Sequence, residues 1–409
     1  MLIIKKILES LFIFIFKNLY IKTWREQYTK KKKIEFKITC ILKAWILNVL
    51  YIVKSNIEIK MNKNYNTKFA ILKELQKPLV IQNLKINEPN NHQLLIEIKY
   101  SYICGSQLNE INGNKGHDKF LPHTLGHEAS GVVLKIGKKV NNFKSGDKVI
   151  LSWIKKKGKD SNNPYYLDKK NNIINSGQVS TFSKFSLVAK SRVYKIPKNL
   201  PMDMAALFGC VVPTGFGIIF KNIKNINKNE FVGIYGAGGV GIMAIIALKA
   251  MGIKNIYAID KNKKNLNIAK KFGCKNTYTL DDFNKNIINF KINKKLIKYN
   301  FEISGNVKMM EMAIHNLSSD GICVLAGNIK HGHKIKFNPY DLIFGKRIYG
   351  FSGNDLSLEG NINKYFNIIK KLKLKKLRNI FTHYKFQNIN SAIKDFKKGK
   401  ILRPLIHFK

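Results

Sequence analysis

From residue 231 onward, apolar stretches of two lengths alternate along the chain. Phe231–Tyr235 and Ile256–Ile259 are strand-length. Val240–Met251 and Leu266–Phe272 are longer and predict helices, and Cys323–Ala326 predicts a later strand. Strand, helix and strand in alternation imply a parallel, doubly wound sheet. Earlier in the chain the pattern differs. Lys68–Leu72, Leu79–Leu84, Leu94–Tyr100, Gly131–Ile136 and Lys148–Leu151 are short runs rich in Ile, Val and Leu, bounded by Asn, Gly or Pro. They predict an all-β region with loops. Residues 155–175 are polar, rich in Lys and Asn, and read as a surface loop or small lobe.

Residues 1–60 follow neither pattern. Their apolar runs, Leu11–Phe16 and Ala44–Leu47, are broken by Lys clusters such as Lys30–Lys33. Neither run approaches the roughly 18 residues that a spanning helix needs. No small-residue cleavage site follows, so the segment does not read as a signal peptide. It reads as a basic, apolar extension, with amphipathic membrane attachment as one role and a true start at Met61 as the plainer alternative.

The formal net charge is +48 over 409 residues. Such a charge raises nucleic acid or an anionic membrane as a partner. The positive residues weaken that reading. Only Arg25, Arg192, Arg347, Arg378 and Arg403 are arginines, and the many Lys residues are spread along the chain beside abundant Asn and Ile. These three residue types share A/T-rich codons, whereas specific nucleic-acid readers lean on Arg. The five cysteines are odd in number and widely spaced, which does not look like a disulfide framework and fits a reducing, cytoplasmic setting better.

Gly236, Gly238 and Gly241 form G-x-G-x-x-G between a predicted strand and a predicted helix, with Gly239 and Val240 completing the turn. The first glycine permits the tight turn, the second lets backbone approach a pyrophosphate, and the third lets helix and strand pack closely. The helix N-terminus then offers free N–H groups to phosphates. Asp260, 19 positions after Gly241, ends the second strand and suits the two hydroxyls of an adenosine ribose. A glycine turn alone is weak evidence. Here strand, turn, helix, strand and acid follow in order within one βαβ unit, which makes NAD the expected cofactor.

Cys104, His127 and Cys210 offer two thiolates and an imidazole, enough to hold zinc with one position open. Their spacing is wide, and a lone buried Cys is usually a small core hydrophobe, so ligand types alone leave the site open. His117 and His123 also lie near His127 and read as loop histidines.

Five segments in order carry a resemblance. They are Ile103–Ser106, Leu125–Val133, Gly146–Val149, Gly209–Gly217 and the glycine turn. Together they resemble the zinc-containing medium-chain alcohol dehydrogenase family from about Lys68 to Phe408. The resemblance implies a GroES-like β-barrel catalytic domain over 61–210, an NAD-binding Rossmann domain over 211–348, and a return to the catalytic domain over 349–409. It implies one catalytic zinc on Cys104, His127 and Cys210, the ligand set known for alcohol dehydrogenases, with Glu128 as a supporting or alternate ligand. Ser106 matches the hydroxyl that starts the proton relay, Thr214 the helix that touches the nicotinamide, and Arg403 an arginine that meets the pyrophosphate. A small alcohol or aldehyde substrate and a homodimer or homotetramer are likewise implied.

The chain departs from that family in three places. No Cys lies between Cys104 and Cys210, so a four-cysteine structural zinc lobe cannot form, and residues 155–175 stand in its place. Gln107 replaces the Asp that usually supports the metal site. Asn109 stands where some members have a titratable His at the end of the relay. A polyol dehydrogenase of the same fold commonly lacks the third cysteine ligand, and Cys210 tells against it. Zinc-free quinone or enoyl reductases lack the whole Cys-His-Cys set.

Overall fold

The computed structural model describes residues 66–408 except 159, 283–296, 354, 355, 357 and 373, together with isolated positions between 42 and 49. The apolar runs of the extension and the Met61 start lie outside the described residues, apart from those isolated positions. The chain divides between Asn64 and Tyr65, and the second unit carries everything that follows.

Two β-structures share the N-terminal part. Strands β1 (Asn66–Leu72), β2 (Val80–Lys85), β4 (His123–Thr124), β7 (Tyr165–Leu167) and β8 (Ile173–Ser176) close into a small barrel. Strands β3 (Gln93–Tyr102), β5 (Glu128–Ile136), β6 (Lys148–Ser152), β9 (Phe185–Ala189) and β10 (Val193–Lys195) build the larger sheet. The C-terminal strands β17 (Thr382–Lys385) and β18 (Pro404–His407) return to that sheet, with β18 antiparallel to β3. Residues 155–175, expected as a surface loop or small lobe, carry β7 and β8, which pair and complete the barrel. Tyr166 and Ile174 point inward and are buried, so two inward side chains suffice to fix strands this short.

The remaining sheet is parallel throughout. Its strands are β11 (Phe231–Tyr235), β12 (Asn255–Ile259), β13 (Asn276–Tyr278), β14 (Ile297–Glu302), β15 (Leu317–Leu325) and β16 (Arg347–Gly350), in spatial order β13-β12-β11-β14-β15-β16. The limit drawn at 348 falls inside β16, so the sheet itself ends at Gly350. The helix Gly239–Ala250 is apolar all round, and Ile242, Met243, Ile245 and Ile246 are buried against Phe216, Ile218 and Ile219 of the helix Val211–Asn222. A helix of that composition belongs in a core. Among the described residues, no single helix is long and apolar enough to cross a membrane. The strand order reverses between β11 and β14, and a crevice forms outside the carboxyl ends of the strands at such a point.

Candidate active site

One cleft of about 1400 Å³ runs from that crevice to the barrel side of the molecule. At the crevice end, Gly236, Gly238, Gly239, Val240, Gly241 and Asp260 line it. Gly236 has φ +105°, a left-handed conformation that glycine adopts freely. A Cβ on Gly241 would sit 1.9 Å from the Gly236 carbonyl oxygen, so the turn closes only without a side chain there. Asp260 is buried and accepts hydrogen bonds from the backbone N–H of Ala237 (2.7 Å) and of Asn262 (2.7 Å). The carboxylate thus ties the second strand to the glycine turn itself. Burial pushes its pKa above the usual carboxylate value against those bonds.

At the other end, the helix Gly105–Ile111 starts after Cys104, β5 starts after His127, and the helix Val211–Asn222 starts after Cys210. Three element starts converge. Donor atoms of Cys104, His127, Glu128 and Cys210 all lie within 4.8 Å of one another. The hydrogen bond from Cys210 holds the Cys104 thiol well below its ordinary value, with the Arg403 charge adding to it against the effect of burial. The same bond, with burial, pushes Cys210 well above. The buried Nε2 of His127 has no hydrogen-bond partner. An orphaned imidazole nitrogen facing two sulfurs in a buried pocket is satisfied by a metal ion, and two sulfurs with one imidazole are a zinc donor set. The residues present therefore fit zinc.

Glu128 and Arg403 form an ion pair, both almost fully buried. Arg403, expected at the pyrophosphate, also lines the cleft, and its Nη1 would lie 3.1 Å from a Cβ at Gly239. Ser106 and Thr214 line the cleft, and the Thr214 hydroxyl donates to the Cys210 carbonyl (2.7 Å). Asn109 reaches across to the Asn328 carbonyl at 3.4 Å, so it bridges the two walls. Gln107 is buried, takes the Cys104 N–H on its carbonyl oxygen (2.9 Å) and meets His127 Nδ1 with its amide nitrogen.

Sequence reasoning missed Trp153, which lines the cleft just after β6 with its ring 6.5 Å from that of His127. Gly353 opposes it, and a Cβ there would lie 2.0 Å from the indole. An aromatic residue at the carboxyl end of a buried strand was the available signal. His123 is a second correction. It is a buried strand residue, not a loop residue, and pairs with Asp118 at 2.9 Å. It lies in a separate group with Glu110, away from the cysteines.

Residues 90–198 match the family described as "Alcohol dehydrogenase GroES-like domain", and residues 239–371 match "Zinc-binding dehydrogenase". The chain is 27% identical to S-(hydroxymethyl)glutathione dehydrogenase of Saccharomyces cerevisiae, over 82% of this chain and 95% of that protein. It is 26% identical to alcohol dehydrogenase 6 of Peromyscus maniculatus, over 83% and 97%. Among solved structures, an alcohol dehydrogenase zinc-binding domain protein from Burkholderia ambifaria superposes with TM-score 0.76 at 22% identity, over 85% of this chain and all of that one. Benzyl alcohol dehydrogenase from Acinetobacter calcoaceticus superposes with TM-score 0.74 at 24% identity, over 84% and 99%. Both likenesses concern the fold.

Proposed function

Because the chain belongs to the zinc-containing medium-chain alcohol dehydrogenase family, we propose that it catalyses reversible hydride transfer between a primary or secondary alcohol and NAD, giving an aldehyde or ketone. It is an oxidoreductase, and a catalytic zinc and NAD are the cofactors that membership brings. The observation that carries the reading is a single cleft with the Cys104–His127–Cys210 cluster at one end and the glycine turn with Asp260 at the other.

Cys104, His127 and Cys210 would hold the zinc, which would supply a Lewis acid for the substrate oxygen. The chain's own residues do the rest. The glycine turn presents the free N–H groups of the helix Gly239–Ala250 to the pyrophosphate, and Asp260 faces the ribose. Arg403 adds a positive charge beside the turn. Ser106 Oγ accepts the proton of the alcohol. Asn109 has no titratable group, and its amide is engaged with Asn328, so the proton passes from Ser106 to water. Trp153 walls the substrate end, which favours small alcohols whose apolar part packs on the indole.

Cofactor absorbance over a panel of primary and secondary alcohols and their carbonyl partners tests the activity. Metal analysis of the same sample tests the site, with one zinc per chain expected. Two zincs per chain, or full turnover without any, would overturn the assignment. A cytoplasmic setting is part of the same proposal, supported by free cysteines at Cys104, Cys210, Cys274 and Cys323.

A further inference from the structure

Gln107 and His127 meet with a hydrogen-bond polarity that opposes metal binding. A carboxamide has one accepting end and one donating end. The Cys104 backbone N–H can only donate, and it takes the Gln107 carbonyl oxygen at 2.9 Å. The amide nitrogen of Gln107 is left on His127 Nδ1. A donor at Nδ1 makes that atom the acceptor and places the ring proton on Nε2. With Nδ1 on Gln107, Nε2 is the ring nitrogen left for the cluster with the two sulfurs, and it has no hydrogen-bond partner. Ligation through Nε2 needs the opposite tautomer, with the proton on Nδ1 held by an acceptor.

We infer that Gln107 is a positioning residue that sets the zinc affinity of this chain, because its amide must, before His127 can ligate, either turn over and give up the Cys104 N–H or share its one carbonyl oxygen between two donors. Gln107 is 2% exposed, so water does not take over either contact. Turning the amide sets its NH₂ against the Cys104 N–H, donor against donor. Sharing the carbonyl oxygen between both donors leaves the NH₂ unpaired in a buried site. A carboxylate of the same length has no such conflict, since one oxygen accepts from Cys104 N–H and the other from His127 Nδ1–H. The site consequently binds zinc more weakly and exchanges it faster than it would with a carboxylate at this position.

This inference rests on the zinc reading above, and one experiment separates the two. Zinc affinity and release are measured on the full chain and on Gln107→Glu, by competition with a chromogenic chelator. Circular dichroism confirms that both are folded. The expected result is about 10–100-fold tighter binding and slower release in Gln107→Glu, the scale of losing or gaining a partner of a ligating His. Nitrogen-15 NMR of the His127 ring gives a second readout. In the wild type the proton moves from Nε2 to Nδ1 on adding zinc, and in Gln107→Glu it is on Nδ1 throughout. Equal or weaker zinc affinity in folded Gln107→Glu, or a wild-type ring protonated at Nδ1 before zinc is added, overturns the inference. Failure of the wild type to bind zinc at all would overturn the parent reading instead.

Discussion

Glu128 and Arg403 stand 275 positions apart in the sequence and form one ion pair in the interior, beside the cysteine and histidine cluster. The pair joins the first residue of β5 to the residue just before β18, so it fastens the C-terminal return onto the metal side of the cleft. Removing one partner of a buried pair strands the other charge, at a cost of about 3–5 kcal/mol. Arg403→Met is therefore expected to lose that much stability in urea unfolding. The double variant Glu128→Gln with Arg403→Met should regain most of it. A single variant within about 1 kcal/mol of wild type would show that the pair carries no such weight.

The glycine turn separates folding from cofactor binding. A Cβ at Gly241 meets the Gly236 carbonyl at 1.9 Å, whereas a Cβ at Gly238 meets nothing within 4 Å. Gly241→Ala should distort the turn and cost about 1–3 kcal/mol or more, the scale of overpacking. Gly238→Ala should leave the melting temperature unchanged and raise the KM for NAD, because the space it fills is the approach of the pyrophosphate. Equal losses of stability in both variants would contradict this division of roles.

How legible these features were follows from how local they are. The strand, turn, helix, strand and Asp260 fall within about 30 residues, so their order alone disclosed a βαβ unit. Cys104, His127 and Cys210 come from three distant element starts, and only their likeness to a known family joined them. The β7–β8 hairpin was hidden because strands of three and four residues in a Lys- and Asn-rich stretch have no readable period. His123 looked like a loop histidine for the same reason, since β4 is two residues long. The Glu128–Arg403 pair and the Gln107–His127 contact depend on tertiary packing and leave no mark in local sequence.

Glu302 predicts a pH dependence. It is fully buried at the end of β14, and its carboxylate accepts from the N–H groups of Ser304 (2.8 Å) and Gly305 (3.0 Å). Burial outweighs those bonds and pushes its pKa up to about 7. The folded value lies above the unfolded one, so between about 4.5 and 7 the folded state holds the proton that the unfolded state has lost. Stability contributed by the protonated acid is present at low pH and is lost as pH rises through this window. Relative to wild type, Glu302→Gln should gain stability from pH 4.5 to 7, by on the order of 3 kcal/mol, and then level off. A stability difference that is flat with pH would show that Glu302 titrates normally.

The open edge of the parallel sheet predicts self-association. Strand β16 pairs with β15 and with no other strand among the described residues. Beside it, Phe337, Tyr340, Leu342, Ile343, Phe344 and Tyr349 are exposed, Ile343 at 72% and Phe344 at 69%. These side chains expose on the order of 700 Å² together, close to the roughly 800 Å² that each partner of a stable complex buries. An open strand edge is self-complementary when two copies pair antiparallel, so a second copy of this chain is the natural occupant. Sedimentation should find a dimer at micromolar concentration, and Ile343→Asp should be monomeric with its melting profile otherwise retained. A wild type that sediments as a monomer would refute this.

Cofactor choice turns on Asp260 against the lysines around it. Lys261, Lys263, Lys264, Lys398 and Lys400 line the cleft with it and would attract the extra phosphate of NADP. They are flexible point charges that solvent screens, and the arginine of the cleft, Arg403, is committed to Glu128. Asp260 is fixed instead. Its two oxygens are anchored by Ala237 and Asn262, so the carboxylate cannot swing away from an incoming phosphate. With NAD its remaining lone pairs accept from the ribose hydroxyls. With NADP they face nearly two negative charges in a partly desolvated cleft. We expect kcat/KM to favour NAD by about 10–100-fold, the equivalent of 1–3 kcal/mol for one charge-assisted hydrogen bond gained or lost. Asp260→Asn removes the charge but keeps only one of the two acceptors that Ala237 and Asn262 use, so it should narrow the ratio at a cost of about 1–3 kcal/mol in stability, and the ratio is read on the folded variant. Equal turnover with the two cofactors in the wild type would mean that the lysines win, and an unchanged ratio in Asp260→Asn would remove Asp260 from the ribose.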